Sequence, residues 1–286
     1  KRSARSHHVL LSGVNRFGEY RLPEGGRVQG SALRQFYSQG RFGYLRDWGT
    51  WEGAYSSCYN TSGIVGVGGT EQSGDHMLTM GARFRTGEWA WHPVISYQLN
   101  HRKELDVVGP DSLTEENELA YTRLDLSLRS TRFDIQTSRS GSGGWQWDLG
   151  SQGYMKSNTN DSVYIELTNQ LIPDADIQGG GLFAKVSHDN GRGIPSASLR
   201  GDVHGLTWQG RPTLAEDAPD ALATGGTRAF GMVSGAVGVK ARLNERHTLG
   251  VHVLRGNRAP GLSELLAFGN HHDSYREERG NPDLAL

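Results

Sequence analysis

Five polar side chains able to hold a solute recur at every second position on one stretch of the chain: Gln98, Asn100, Arg102, Glu104 and Asp106. In an extended strand that spacing puts all five on one face. The amides both donate and accept, Arg102 offers a planar cationic fork, and the carboxylates accept from it or from a bound group. Two chemistries fit. One is an internal network in which Arg102 pairs with carboxylates on neighbouring strands, and this is the preferred reading. The other is contact with a bound solute, or with a domain filling the space in front of the face. His271-His272, in a loop-like stretch, is a candidate for contact with a ligand or its metal. His7-His8 lies on a strand, where neighbours point to opposite faces and cannot chelate as a pair. No metal site is assigned. The chain has no His-Glu-x-x-His, no Gly-x-Ser-x-Gly, no P-loop and no dinucleotide fingerprint. Glu115-Glu116 reads as a solvated loop. No catalytic residue, enzymatic activity or cofactor is expected.

The elements that position these residues are strands. Trp89, Trp91, Pro93, Ile95, Tyr97 and Leu99 form an apolar face opposite the polar one, on which Val94 is the exception. Leu78, Met80, Ala82 and Phe84 alternate in the same way, as do Trp145, Trp147 and Leu149, and Val233, Val237, Val239 and Ala241. After Leu124, Leu126 and Leu128 the apolar positions change parity to Phe133 and Ile135, which predicts a bulge near 128–132. Eleven strands are expected, at about 7–17, 34–47, 51–59, 76–86, 89–101, 121–138, 145–157, 177–188, 195–208, 228–243 and 247–257, with ends good to ~2–4 residues. Their connections alternate. Short ones such as Asp47 to Thr50 and Gly87-Glu88 take turns with long ones near 18–33, 60–75, 102–120, 158–176, 209–227 and from 258 onward. A meander with tight turns on one rim and long loops on the other describes a transmembrane β-barrel. Many strands reach the ~9–11 residues that cross a bilayer when tilted. Trp48, Trp51, Trp89, Trp145 and Trp208 at strand ends fit an interfacial girdle.

Composition agrees once a barrel is allowed. A mean hydropathy of -0.56 excludes membrane helices, but a barrel needs only an apolar outer face. One Cys in 286 residues excludes a disulfide framework, and a net charge of -1 argues against a nucleic-acid partner. The basic residues are 25 Arg against 5 Lys, a bias toward bidentate contacts with carboxylates and phosphates. Eleven strands with two open edges imply part of a wider barrel. Residues 1–286 are therefore expected to be one partial β-barrel domain.

The most specific stretch runs Leu254-Arg255-Gly256-Asn257-Arg258-Ala259-Pro260-Gly261-Leu262-Ser263-Glu264-Leu265-Leu266-Ala267-Phe268-Gly269, then Asn270-His271-His272, then Glu278-Arg279-Gly280-Asn281-Pro282-Asp283-Leu284. It resembles the barrel of TonB-dependent outer-membrane receptors, whose pattern there is Arg-Ala-Pro-x-Leu-x-Glu-Leu, a Gly-His stretch and Gly-Asn-Pro-x-Leu. The run Gln98 to Asp106, Leu171-Ile172-Pro173-Asp174 with Gly181-Leu182-Phe183, Tyr20-Arg21-Leu22-Pro23 and Gly63-Ile64-Val65-Gly66 are similar to the same family. In detail they are most similar to versions from Bacteroidetes-type bacteria. Arg258, Pro260, Glu264, Gly280, Asn281 and Pro282 are the family-motif positions. Physically, Pro260 stops strand pairing, Ser263 to Leu266 suits one helical turn, and Gly280 to Asp283 is turn chemistry. All six are expected to shape a long rim loop rather than touch a ligand.

The resemblance implies an all-β, antiparallel transmembrane barrel in the outer membrane of a Gram-negative bacterium. The implied activity is uptake of a scarce solute, with a ferric siderophore or another iron chelate foremost because an Arg-rich lumen suits anionic chelates. The implied partners are TonB, the small-molecule solute and the lipid bilayer. The plug domain with its TonB-contacting box, and the closing strand, are expected outside these residues. A passive porin and a soluble β-rich binding module are the alternative readings.

Overall fold

The computed structural model describes residues 5–65, 69–105, 122–160, 171–211, 220–271 and 276–286. Eleven strands make one sheet: β1 (Arg5–Phe17), β2 (Leu33–Arg46), β3 (Gly49–Gly63), β4 (Thr70–Thr86), β5 (Trp89–Leu105), β6 (Thr122–Ser140), β7 (Trp145–Asn160), β8 (Ala175–His188), β9 (Gly193–Gln209), β10 (Gly225–Arg242) and β11 (Thr248–Arg255). Each is antiparallel to the next and they stand in chain order, so every neighbour in sequence is a neighbour in space. β1 and β11 are not paired with each other, so the barrel wall is open. Two short α-helices, α1 (Asp220–Thr224) and α2 (Leu262–Leu266), a 3-10 turn (Ser142–Gly144) and a hairpin of β12 (Phe268–His271) with β13 (Arg276–Arg279) lie outside the sheet among the described residues.

Pairing register sorts the side chains. Leu78, Tyr97 and Thr131 are successive partners on one face, as are Met80, Ile95 and Phe133. Farther along, Val203 pairs with Gly231 and Val237 with Val253. This face is apolar and exposed, with Leu182, Val203, Val237 and Val253 each more than half accessible. That is the surface a barrel turns to hydrocarbon. The other face aligns Ser73 with Arg102, Asp75 with Asn100, and Asp134 with Gln152. Val94 lies on it, between Gly81 and Asp134. A single hollow on this side is lined by residues from Met77 on β4 to Arg200 on β9. Six consecutive strands can line one hollow only if that face is concave. It is the lumen face.

At one rim the connections are tight. Asp47-Trp48 and Gly87-Glu88 are two-residue turns, and Gly87 takes a left-handed φ of 60° that favours glycine. Outward aromatics gather here: Trp145 stacks near Trp147 at 6.3 Å, and Arg139 lies over Trp89 at 5.9 Å. Asp189 in the β8–β9 turn takes two hydrogen bonds from Arg242, at 2.7 and 2.6 Å, tying that turn to β10. The Arg242 guanidinium holds the Asp189 carboxyl well below the usual carboxylate range.

Four expectations are corrected. The β5–β6 register runs evenly through 128–132, and the irregularity falls at Glu104/Leu105, beside Thr122 and Leu124. Leu124, Leu126 and Leu128 therefore share the lumen-side parity, next to Glu104, Arg102 and Asn100. The register carries this parity unbroken from 124 to 135, so no bulge is needed. β3 and β4 extend through most of the expected 60–75 loop and leave a connection of only six residues, because Ser62–Glu71 and Thr61–Gln72 continue the ladder. Trp208 is no girdle residue. It faces the lumen and is 6% exposed, packed with Leu206, Leu222, Phe230, Leu265, Leu266 and Phe268. The stretch from 258 onward is not bare loop but α2 and the β12–β13 hairpin, folded inward onto that cluster.

Leu182, halfway along β8 on the outward face, tests the sidedness. Leu182→Arg is expected to cost ~2–4 kcal/mol in equilibrium unfolding of the full-length protein in lipid vesicles. Lys185→Arg, on the lumen side of the same strand, is expected to be near neutral.

Candidate functional site

The site is the lumen wall and the loop cluster that roofs part of it. β5 presents Gln98, Asn100, Arg102 and Glu104 in a column. Asp75 on β4 accepts from Asn100 Nδ2 at 2.9 Å and from Gln98 Nε2 at 3.4 Å. Arg102 reaches Glu104 at 2.6 Å and, across the strand, Glu71 at 3.2 Å. The column is an ion-pair and amide network whose carboxylates come from β4 as well as from β5. Asp106 lies outside the described residues.

A second polar group extends the wall, and it was not singled out from the sequence. Arg132 grips Asp134 with Nε at 2.7 Å and Nη2 at 3.0 Å, and Gln152 on β7 donates to the same carboxylate at 2.6 Å. Arg200 grips Asp202 in the same way, at 2.8 and 2.5 Å. The Tyr154 hydroxyl meets His204 Nδ1 at 2.5 Å. Tyr154 leans over Gly179 so closely that a Cβ there would overlap its ring. Arg132, Lys156 and Arg200, with Gln98, Gln152 and Tyr154, line a hollow of about 470 Å³. Three cations and two amides facing one concave space suit an anionic or polyoxygenated molecule, or a polar protein surface. The Arg-x-Asp spacing at 132/134 and 200/202 was a usable signal, since i and i+2 share a strand face.

The motif residues of the last segment meet at the long-loop rim. Arg258 donates twice to Glu264, both at 2.6 Å, and Glu264 also accepts from the Gly261 backbone at 2.6 Å. The Arg258 guanidinium, helped by that backbone donor, holds the Glu264 carboxyl down to about 2. Pro260 is buried and precedes α2. Asn281 N donates to Glu264 O at 2.8 Å, and Gly280 N to Ala267 O at 2.6 Å. A Cβ on Gly280 would lie 2.7 Å from the Leu265 carbonyl carbon, so glycine is required there. The Asn281 side chain caps its own turn by accepting from Asp283 N at 2.9 Å. Arg228 on β10 donates to the carbonyls of Pro282 and Leu284. Arg211 is 1% exposed and donates to Leu266 O at 3.1 Å, and burial pulls its guanidinium down to about 10. The six motif positions thus belong to one inward-folded loop segment, fastened to β10 by Arg228 and to the chain just after β9 by Arg211. His271 pairs with Arg276 along the hairpin backbone, and His272 lies outside the described residues.

Known structures share this wall. The hemophore receptor HasR of Serratia marcescens, solved with its hemophore HasA and heme, superposes with a TM-score of 0.72 at 16% identity, over 97% of this chain and 44% of its own. The FrpB iron transporter of Neisseria meningitidis gives 0.69 at 11% identity, over 90% and 42%. The copper transporter OprC gives 0.66 at 13% identity, over 91% and 42%. The chain has the barrel fold of TonB-dependent receptors. It spans less than half the length of each of these three proteins. No protein-family model and no curated protein sequence matches it.

The Arg258–Glu264 clasp gives a pH test. A carboxyl held down to about 2 stabilises the docked loop above the ordinary carboxylate range, and that contribution is lost as pH falls toward 2. In the full-length protein, Glu264→Gln is expected to speed amide hydrogen exchange over residues 261–268 at neutral pH. The wild type should converge on the variant only as pH falls toward 2.

Proposed function

We propose that this chain is the barrel wall of a TonB-dependent outer-membrane receptor that takes up a scarce solute, a ferric siderophore or another iron chelate. The observation that carries this reading is the two-sided wall. An apolar face stands exposed on one side, and an Arg-bearing polar face closes on a hollow on the other. Structures of the same fold include proteins named as hemophore receptor, iron transporter and copper transporter. Among such cargoes, an anionic iron chelate best matches the cations Arg132, Lys156 and Arg200 around one hollow. The exposed apolar face favours a bilayer-embedded protein over a soluble binding module.

In this scheme the solute binds among the long loops and at the apex of a plug domain contributed by the rest of the protein. TonB, driven by the inner-membrane proton gradient, then pulls the plug and opens a path along the lumen wall. The paired carboxylates Asp134, Asp202 and Glu104 keep each arginine fixed in direction. A negatively charged chelate passing this wall meets oriented donors without having to order long side chains.

Calorimetry on the full-length receptor tests the reading. Ferric chelates are expected to bind, and Arg132→Gln with Arg200→Gln to weaken that binding by about tenfold or more. Uptake into cells is expected to require TonB. Tight binding of an unrelated solute without binding of ferric chelates would sink the iron assignment. Uptake that persists without TonB would make the protein a passive porin.

A further inference from the structure

Lumen arginines near the tight-turn rim differ from those farther up the wall. Arg102, Arg132 and Arg200 each lie against carboxylates: Glu71 and Glu104, Asp134, and Asp202. Arg83 and Arg85 share the lumen parity of Asp75 on β4 and are exposed. Neither has a carboxylate partner among the described residues. An unpaired guanidinium keeps its whole planar fork for an incoming carboxylate.

Both line a hollow of about 780 Å³ that spans the wall from the β2–β3 turn to β8. That is the size of an ordinary small-molecule site. Arg46 and Lys185 line it too, with two carboxylates, Asp47 and Asp148. Lys185 stands 4.0 Å from Asp148, and Arg46 lies over the Tyr44 ring at 4.6 Å. The cationic surplus therefore rests on Arg83 and Arg85. This hollow shares no lining residue with the one around Arg132. Arg132 pairs laterally with Ser96 and Ser96 with Thr79, so Arg83 and Arg85 stand four and six residues nearer the tight turns. At ~3.3 Å per residue that is about 13 and 20 Å along the strand.

Aromatic surface accompanies the charge. Thr50 pairs with Arg83 and Gly49 with Phe84, so Trp48 stands at the end of this ladder beside Arg85. Trp48 lines the hollow and is 55% exposed. On the far wall Phe183 lies so close over Gly150 that a Cβ there would overlap its ring, and the glycine lets that ring lie against the wall. A flat ring can stack on the indole while the arginine forks take its acid group. A neutral ring would leave the arginines unused, and a ringless anion would leave the indole unused.

We propose that the tight-turn mouth of the lumen holds a second binding site, in which Arg83 and Arg85 take a carboxylate whose aromatic ring stacks on Trp48. Its part in transport rests on the uptake reading above, in which the tight turns face the periplasm. The mid-wall arginines are already neutralised by their carboxylates. An aromatic acid group of an anionic solute is therefore drawn more strongly to the unpaired arginines at the exit.

Saturation-transfer NMR titrations on the full-length receptor in detergent test this, with salicylate as the probe and citrate and benzyl alcohol as controls. Salicylate is expected to bind the wild type about tenfold more tightly than either control. Arg83→Gln with Arg85→Gln should weaken salicylate by about tenfold or more, and Trp48→Ala by about threefold. Heat-modifiable gel mobility checks folding, and Arg85→Gln alone decides should the double variant not fold. Equal salicylate affinity in the wild type and the arginine variants overturns the proposal. So does a wild type that binds no salicylate because another segment of the receptor fills the hollow, or one that binds either control as tightly. Calorimetry with ferric chelates is run on the same samples. Salicylate held by Arg83 and Arg85 without any ferric-chelate binding sinks the uptake reading alone. Chelate binding in a protein whose salicylate affinity ignores Arg83 and Arg85 sinks the rim site alone.

Discussion

A peptide backbone beside hydrocarbon has no water to satisfy its N–H and C=O groups, so each must pair inside the sheet. The rest of this structure depends on that constraint. The pairing offset stays constant along every consecutive strand pair except at Glu104/Leu105, close to the long-loop rim. A constant offset transmits side-chain parity from strand to strand. Tyr97 outward on β5 therefore requires Leu78 outward on β4 and Thr131 on β6. A slip of one residue anywhere would carry Arg132 and Asp134 into lipid and bring Phe133 into the lumen.

Parity also explains how so polar a chain fits a membrane. The mean hydropathy of -0.56 averages two unlike faces and a set of polar loops. On the lumen side arginines are held by carboxylates of their own strand, as at Arg132–Asp134 and Arg200–Asp202, or of strand and neighbour, as with Arg102, Glu104 and Glu71. These pairs are partly exposed and add little to stability. Their effect is directional, since a bidentate grip fixes where the remaining guanidinium donors point. Among the described residues, the conventional hydrophobic core gathers where the loops fold back over the lumen. There Trp208, Leu222, Leu265 and Leu266 exclude water, and Arg211 and Arg228 spend their donors on loop carbonyls.

The local code was most readable where it is periodic. Alternation of Trp89, Trp91, Ile95, Tyr97 and Leu99 against Gln98, Asn100 and Arg102 gave β5 its two faces before any neighbour was known. Two-residue turns such as Gly87-Glu88 located the tight rim. The one helical turn at Ser263 to Leu266 was legible from its composition. The readings failed where contact partners decide. Leu124, Leu126 and Leu128 looked like a lipid face displaced by a bulge, yet they share the lumen parity beside Arg102 and Glu104. Trp208 looked like a girdle residue because strand-end tryptophans usually are, and only the inward fold of α2 buries it.

The sequence by itself determined the eleven strands of the wall, the alternation of faces, the two kinds of rim and the loop motif around Arg258 and Glu264, because these follow from spacings of a few residues. Tertiary structure alone decided which strands' polar faces share a hollow. The convergence of Arg132, Lys156 and Arg200, and the meeting of Tyr154 with His204 fifty residues away, depend on curvature across many strands. An outward hollow lined by Gly153, Gly205 and Gly231 is of the same kind. Gly153, Gly205 and Gly231 are far apart in the chain and carry no periodic signal. They become one surface only because antiparallel pairing at constant register sets absent side chains side by side.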